Sequence, residues 1–311
     1  MNREDKSQIY DLLIIGGGPA GISAGIYAVR KNLRTLLISL DLGGQVLLTS
    51  EIGNFIGYQY ISGRELAEKF TEHLRSLPIS LRVPDEVISL KWEGGLFFVE
   101  TKFQGRYKGK AVIVATGKRP RSLDVPGERE LTGRGVSYCV TCDAPLFVNK
   151  DTAVIGGGNS AVSAALDLSK VANKVYLIVR SQLRADPVLL EKLDKTEKIE
   201  KLIGFIPKAI EGRSKVEGIV IKNVATEEER KIPLQGVFVE VGLIPNSDFL
   251  KGLVKTNELG EIIVTSNCET SQEGIFACGD VTNVAGKQII IACGEGAKAA
   301  LGAYRYLLTK K

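Results

Sequence analysis

The apolar residues of this chain fall in short unbroken runs rather than in alternation with polar ones, at residues 11–15, 36–38, 112–115, 152–155 and 175–179. Such runs predict strands buried on both faces, as in a parallel sheet covered by helices. Two of them end in glycine. Residues 11–15 lead into Gly16-Gly17-Gly18-Pro19-Ala20-Gly21, and residues 152–155 into Gly156-Gly157-Gly158-Asn159-Ser160-Ala161. Helical patterning follows each turn, over residues 22–31 and on to about Lys170, and a further helical stretch covers residues 67–77. Near the end, a strand over residues 274–277 meets a Gly279-Asp280 turn, then an alanine-rich helix begins at about Ile289. Strand, turn and helix repeated in this order predict the α/β class.

Composition narrows the function. The 311 residues carry 41 basic and 36 acidic side chains, a net charge of +5 with no long single-sign block, so nucleic acid is not an expected partner. No apolar run approaches the ~20 residues needed to span a bilayer. Residues 1–6 mix both signs of charge and lack the basic and apolar regions of a signal peptide, which makes the cytoplasm the expected compartment. Five cysteines are too few for a secreted disulfide scaffold, and the odd number leaves one unpaired. A single histidine, His73, limits imidazole chemistry and reads as a surface or packing residue.

Glycines at 16, 18 and 21 fit the G-x-G-x-x-G fingerprint of Rossmann-like units: a tight turn, room for a pyrophosphate against the backbone, and close packing of helix on strand. The phosphate would lie at the helix N-terminus, where free amides favour negative charge. The acidic residue that usually binds a ribose hydroxyl is missing after residues 36–38, where Ser39 follows and Asp41 is the nearest substitute. The second turn has Gly156, Gly158 and, in third place, Ala161. Two such units predict two bound dinucleotides, and hydride transfer between a nicotinamide and a flavin is the natural chemistry of the pair. After residues 175–179 comes Arg180, with Arg184 close behind, where an acid would favour NAD; arginine suits the 2′-phosphate of NADP, the alternative being two solvated surface charges. Junctions rich in glycine and proline, at residues 117–127 and 241–246, divide the chain. The expectation is a discontinuous first domain, 1–118 with 246–311, into which a second, 119–245, is inserted, each with three layers.

Cys139-Val140-Thr141-Cys142-Asp143 precedes the second glycine turn. Two intervening residues allow a small, readily reduced disulfide ring, the mark of a catalytic bridge. Half of a zinc site is the alternative, but zinc needs two more ligands and the chain offers only the scattered Cys268, Cys278, Cys293 and His73. No metal is expected. A dithiol passing electrons to another disulfide needs a proton donor, and Asp143 is the nearest candidate, unless it merely caps the helix that follows.

Taken in order, Gly16 to Gly21, Gly43-Gly44-Gln45, Glu51-Ile52-Gly53-Asn54-Phe55, Ala115-Thr116-Gly117, the Cys139–Cys142 motif, Gly156 to Ala161 and Gly279-Asp280 give the chain its family likeness. It resembles low-molecular-weight thioredoxin reductase and the C-terminal half of the alkyl hydroperoxide reductase flavoprotein subunit. The resemblance implies FAD in the first domain, with Gly279 and Asp280 at the ribityl chain and pyrophosphate and Gln45, Asn54, Lys287, Gln288 and Ile289 near the flavin ring. It implies NADPH, or alternatively NADH, in the second, and a homodimer. Electrons would pass from nicotinamide to flavin, to the Cys139–Cys142 disulfide, with Cys142 nearer the flavin, and on to a thioredoxin- or glutaredoxin-like protein. The second domain would rotate about residues 117–120 and 242–246. The chain departs from the NADPH-using pattern, a His-Arg-Arg run with a further arginine, in reading Val179-Arg180-Ser181; hydroperoxide reductase relatives, which favour NADH, tend to have Glu where Val179 stands. Residues 287–298 look closer to the latter.

Overall fold

The computed structural model describes residues 8–49, 52–103, 105–250 and 252–310; residues 1–6 and Glu51, used in the sequence reading, lie outside the described residues. In chain order the first part comprises β1 (Ile9–Ile15), α1 (Pro19–Arg30), β2 (Thr35–Ile38), α2 (Gly63–Arg75), β3 (Ser80–Arg82), β4 (Val87–Glu93), β5 (Leu96–Thr101) and β6 (Gly105–Val114). After β7 (Lys118–Pro120) come β8 (Val136–Ser137), α3 (Val140–Asp143), β9 (Asp151–Ile155), α4 (Asn159–Ser169), β10 (Lys174–Val179), α5 (Pro187–Asp194) and β11 (Ile199–Ile203). Then follow β12 (Phe205–Glu211), β13 (Gly218–Asn223), β14 (Glu229–Pro233), β15 (Gly236–Val239) and β16 (Leu243–Pro245); the chain closes with β17 (Ile275–Ala277) and α6 (Ile289–Thr309).

The unbroken apolar runs are buried on both faces because each strand serves two cores. In β1, Leu12 and Ile14 pack against the small residues of α1 and α6, among them Ala24, Ala28, Ala299 and Ala303. Leu13 and Ile15 point the other way, toward Phe97, Val99 and Ile262. The seven-stranded sheet runs β3-β2-β1-β6-β5-β4, and β17 joins β6. One edge of β6 is shared: residues 105–109 pair antiparallel with β5 and residues 112–114 parallel with β17. The late strand β17 thus returns the chain to the first sheet.

A second sheet, β11-β10-β9-β15-β8, is parallel throughout. Val154, Leu177 and Phe238 face α4, and Ala153, Ile178 and Val237 face the three-stranded antiparallel sheet β12-β13-β14. The chain therefore has a mixed α/β fold built on two largely parallel sheets, each covered by helices on one face. The residues expected to be loose junctions are strands: β7 and β16 form an antiparallel ribbon with Lys118 opposite Pro245 and Leu243 opposite Pro120. Proline, which lacks an N–H, is tolerated because a two-stranded ribbon leaves half of its backbone groups unpaired.

The ribbon is anchored by a buried ion pair. Lys118 and Glu261, 9% and 8% exposed, meet at 2.5 Å. The other Glu261 oxygen accepts from Asn257 Nδ2 at 2.6 Å, and Lys287 Nζ lies 3.6 Å from the first. Burial pushes the Glu261 carboxyl up, but Lys118, Asn257 and Lys287 together more than reverse this, so it titrates below the ordinary glutamate value. A depressed value means that its stabilisation is present above the ordinary glutamate pKa and is lost as pH falls through the lowered one. Lys118→Met leaves a buried carboxylate short of its nearer cation and should cost about 3 kcal/mol of unfolding free energy. In urea denaturation the pair K118M/E261Q should recover part of that loss; equal stability of wild type and K118M would refute the assignment.

Candidate functional site

Both glycine turns lie where parallel strands end, the edge at which doubly wound sheets admit ligands. On the seven-stranded sheet that edge carries Gly16 after β1, Ala115-Thr116-Gly117 after β6 and Gly279-Asp280 after β17. Gly16 has φ +111°, and a Cβ there would lie 2.3 Å from the Ala115 carbonyl oxygen, so the turn is too tight for a side chain. A Cβ on Gly21 would lie 1.9 Å from the Gly16 oxygen, which lets α1 close on the turn. Gly18 differs: nothing lies within 4 Å of its missing Cβ. Tight turn, open face and close packing are what a pyrophosphate cradle requires, so these residues fit a dinucleotide. No side chain caps α1 at Gly18, whose first turn opens with Pro19 and Ala20, and the remaining N–H groups there stay available to an anion.

Residues far apart in sequence converge beside this cradle. Gln45 Nε2 donates to Asp280 Oδ2 at 3.4 Å, and Asn54 Nδ2 to Gln288 Oε1 at 3.1 Å. Turned toward Asn54, Gln288 leaves the start of α6 uncapped at Ile289. Lys287 Nζ donates to the Thr282 carbonyl at 2.5 Å, and the Gly279 amide to Glu295 Oε2 at 2.7 Å. Burial pushes the Asp280 carboxyl up against the pull of Lys287, Lys118 and Gln45. Asp41, the possible substitute for the ribose-binding acid, accepts from the Gly44 amide at 2.7 Å and so builds the turn carrying Gly44 and Gln45.

The second turn repeats the design. Gly156 has φ +145°, and its Cβ would lie 2.3 Å from the Glu240 carbonyl oxygen; Gly158 is open within 4 Å; Ala161 is buried at the packing position. Again no side chain caps the helix, α4. Asn159 is otherwise engaged, donating to Asp186 Oδ2 at 2.9 Å and accepting from the Asp186 amide at 2.8 Å, while Ser160 is exposed. The turn, Arg180, Arg184 and Glu240 line one cleft of about 720 Å³. The guanidinium groups of Arg180 and Arg184 are exposed and make no hydrogen bond or ion pair among the described residues, so both are available to a phosphate.

The third component is Cys139 and Cys142, joined by a disulfide with their Cα atoms 5.3 Å apart. They follow β8 on the same five-stranded sheet. Cys139 is the N-cap of α3, and its Sγ accepts from the Cys142 amide at 3.2 Å. Asp143 is 5% exposed, and its side chain does not cap the turn that follows, which removes the capping alternative. The strand before the cysteines is pinned by Glu128, 1% exposed, whose carboxylate accepts from the Tyr138 hydroxyl at 3.0 Å and from the amides of Leu123 and Asp124, both at 2.9 Å. Burial, then Glu128, pushes the Tyr138 phenol up to about 12. Sequence reasoning missed Glu128, Glu240, Glu261 and Glu295; the last three each stand between apolar or small neighbours, the one signal that could have marked them, whereas Glu128 is followed by Arg129 and Glu130 and carries none.

Residues 10–296 match the family model described as pyridine nucleotide-disulphide oxidoreductase. The chain belongs to this family. Within it, the chain is 46% identical over 308 residues to the F subunit of alkyl hydroperoxide reductase from Pseudomonas putida, covering 98% of this chain and 59% of that protein. It thus spans about three-fifths of the length of the curated relatives it matches. Thioredoxin reductase of Streptococcus pyogenes superposes with a TM-score of 0.91 at 40% identity, over 97% of this chain and 99% of that one. The Lactococcus lactis enzyme in its FR conformation gives 0.68 at 39% identity, over 96% and 99%. The family and these neighbours imply an oxidoreductase that uses FAD and a pyridine nucleotide.

The remaining thiols do not belong to the site. Cys268 and Cys293 are pushed up to about 11, and Cys278 well above the ordinary value, all chiefly by burial. Because the thiolate is the reactive form, iodoacetamide near neutral pH should modify no cysteine in the native oxidised protein and two after dithiothreitol, against all five once the reduced chain is unfolded. Peptide mapping that finds Cys268 or Cys278 labelled in the native protein would contradict this.

Proposed function

We propose that this chain is a flavin-dependent NAD(P)H:protein-disulfide reductase of the thioredoxin reductase type, with NADPH as donor and a thioredoxin- or glutaredoxin-like protein as acceptor. The observation that carries the reading is the position of the Cys139–Cys142 disulfide on the sheet that also holds the second glycine turn, while the first cradle lies on another sheet. FAD bound in that cradle would supply a two-electron relay from reduced nicotinamide. The chain's own share is to hold the nucleotide, present the disulfide and handle protons.

Reduction of the disulfide breaks the S–S bond with two electrons: two protons give two thiols, and one proton gives a thiol and a thiolate. The Cys142 amide that donates to Cys139 Sγ favours negative charge on that sulfur, so we assign Cys139 to attack the acceptor. Cys142 then closes the ring again and releases the reduced acceptor. Asp143, buried next to Cys142 in sequence, is assigned to deliver and recover the proton. Boundaries at 118/119 and 245/246, rotation of the inserted domain about the ribbon, and a homodimer belong to the same proposal. Gly117 at φ +64° and Gly242 at φ +104° flank the ribbon strands, with nothing within 4 Å of either missing Cβ. The superposition values of 0.91 and 0.68 at nearly equal identity and coverage support rotation, since a whole-chain match falls when domains turn relative to one another.

Likeness to the F subunit of alkyl hydroperoxide reductase favours a second reading, an NADH-dependent reductase component of a peroxide-scavenging, peroxiredoxin chain. Turnover with each nucleotide separates the two. NADPH should be preferred, and Arg180→Ala with Arg184→Ala should raise its KM about 10- to 100-fold, the loss of one or two charge-assisted phosphate contacts, with NADH unaffected. A wild-type preference for NADH would move the assignment to the second reading. Cys142→Ser should leave bleaching of the flavin by the reduced nucleotide intact and lower disulfide turnover about 10³-fold or more; acceptor reduction at the wild-type rate would overturn both.

A further inference from the structure

Glu240 has no part in that reading, yet it lines the second cleft. It directly follows β15, and its carbonyl oxygen is the atom that excludes a side chain at Gly156. Strand β9 has β10 on one side and β15 on the other, so the crevice between the ends of β9 and β15 is where the strand order reverses and a dinucleotide crosses the sheet. Glu240 lines the cleft with Gly156, Gly157, Gly158 and Ser160. It is half-buried, and its carboxyl makes no hydrogen bond or ion pair among the described residues.

The charged groups sharing the cleft are Arg121 from the segment after β7 and Arg180 and Arg184 from the segment after β10; the glycine turn and residues 205–207 of β12 bring none. None of these arginines offsets the effect of burial, which alone pushes the carboxyl up to about 7.

We propose that Glu240 is a positioning residue for the pyridine nucleotide: protonated, it donates a hydrogen bond to the pyrophosphate–ribose link, and ionised, it repels the same dianion. This rests on the reading of the cleft as the pyridine-nucleotide site. A carboxyl group facing a bound diphosphate has one favourable protonation state, because a neutral O–H donates to a phosphate oxygen whereas a carboxylate adds a third negative charge to a partly dry crevice. Nucleotide binding above neutrality therefore draws a proton from solvent onto Glu240.

The oxidised holoenzyme, titrated calorimetrically with NAD+ and NADP+, tests this without turnover. If only the protonated form binds, wild-type Kd should rise up to about tenfold between about pH 6 and pH 8, while Glu240→Gln should bind at the higher pH as tightly as wild type does at the lower. NAD+ is the deciding probe, since the 2′-phosphate of NADP+ titrates in the same range. In buffers of different ionisation heat, wild type near pH 8 should take up close to one proton per nucleotide and E240Q none, and the wild-type uptake alone decides if the variant does not fold. Parallel pH profiles in the two proteins, or a variant weaker at every pH, would overturn the inference and leave the proposed function standing. Failure of wild type to bind either nucleotide would remove both.

Discussion

Cys139 and Gly156 are carried by strands of one hydrogen-bonded sheet, β8 and β9, with only β15 between them. At about 4.8 Å per strand the two strands stand roughly 10 Å apart, and both residues follow them at the same edge. A ladder of backbone hydrogen bonds does not let one strand advance without its neighbour, so the disulfide and the second cleft share one rigid support. The first cradle stands on a different sheet, with a ribbon of two three-residue strands between them. An electron carrier bound in that cradle, as proposed above, would meet the disulfide and a nucleotide in the second cleft from outside their common sheet. The ribbon, with glycines before each of its strands and Lys118 tied to Glu261 at its root, is where the chain concentrates both freedom and restraint.

The same economy governs the electrostatics. Helices α1, α4 and α6 all begin without a side-chain cap. Leaving a cap out typically costs about 1 kcal/mol of helix stability, and in each case the uncapped end faces a glycine turn or the loop that bears Asp280. Close to these ends sit carboxyls that burial pushes up: Asp280, Glu295 and Glu240. A carboxyl that keeps its proton donates as well as accepts, which suits Glu240, pushed up to about 7, to a site where phosphate oxygens need donors. A fully ionised acid in the same places would compete with a phosphate for the free amides and repel it.

The parts of this arrangement legible in the sequence are those that short-range sterics dictate. Gly16, Gly18 and Gly21 announce their separate tasks by spacing alone, because a strand, a tight turn and a helix leave no other order for them. Cys139 and Cys142 close a ring that the chain can form locally. Pairings across long separations leave weaker traces. The ribbon reads as two loops because three residues with a proline carry no periodicity, and β14, exposed at Glu229, Arg230 and Lys231, has no apolar face to reveal it. Asp41 looks like a ribose ligand by its offset from the glycines, yet its carboxylate is taken up by the Gly44 amide, a contact that no spacing rule expresses. Glu128 and Glu261 are visible only in three dimensions, since the donors to one come from the loop ahead of it and from Tyr138, and the cation opposite the other lies 143 residues away.

Of these hidden acids, Glu128 helps fasten the segment that carries the disulfide. The Cys139–Cys142 bond closes a single helical turn, α3, which is held on both sides. Upstream, Tyr138 is held by Glu128, the Cys139 amide donates to Ser137 Oγ at 3.1 Å, and Val136 and Ser137 stay in the ladder with β15. Downstream, Phe147 stacks edge-on against Phe238 of β15, their ring centroids 5.0 Å apart. Both flanks of the dithiol are therefore fastened to the strand that ends at Glu240. Strand β15, whose following residue Glu240 lines the second cleft, is also the one that pairs with the strand leading to the cysteines, so cleft and disulfide share a support.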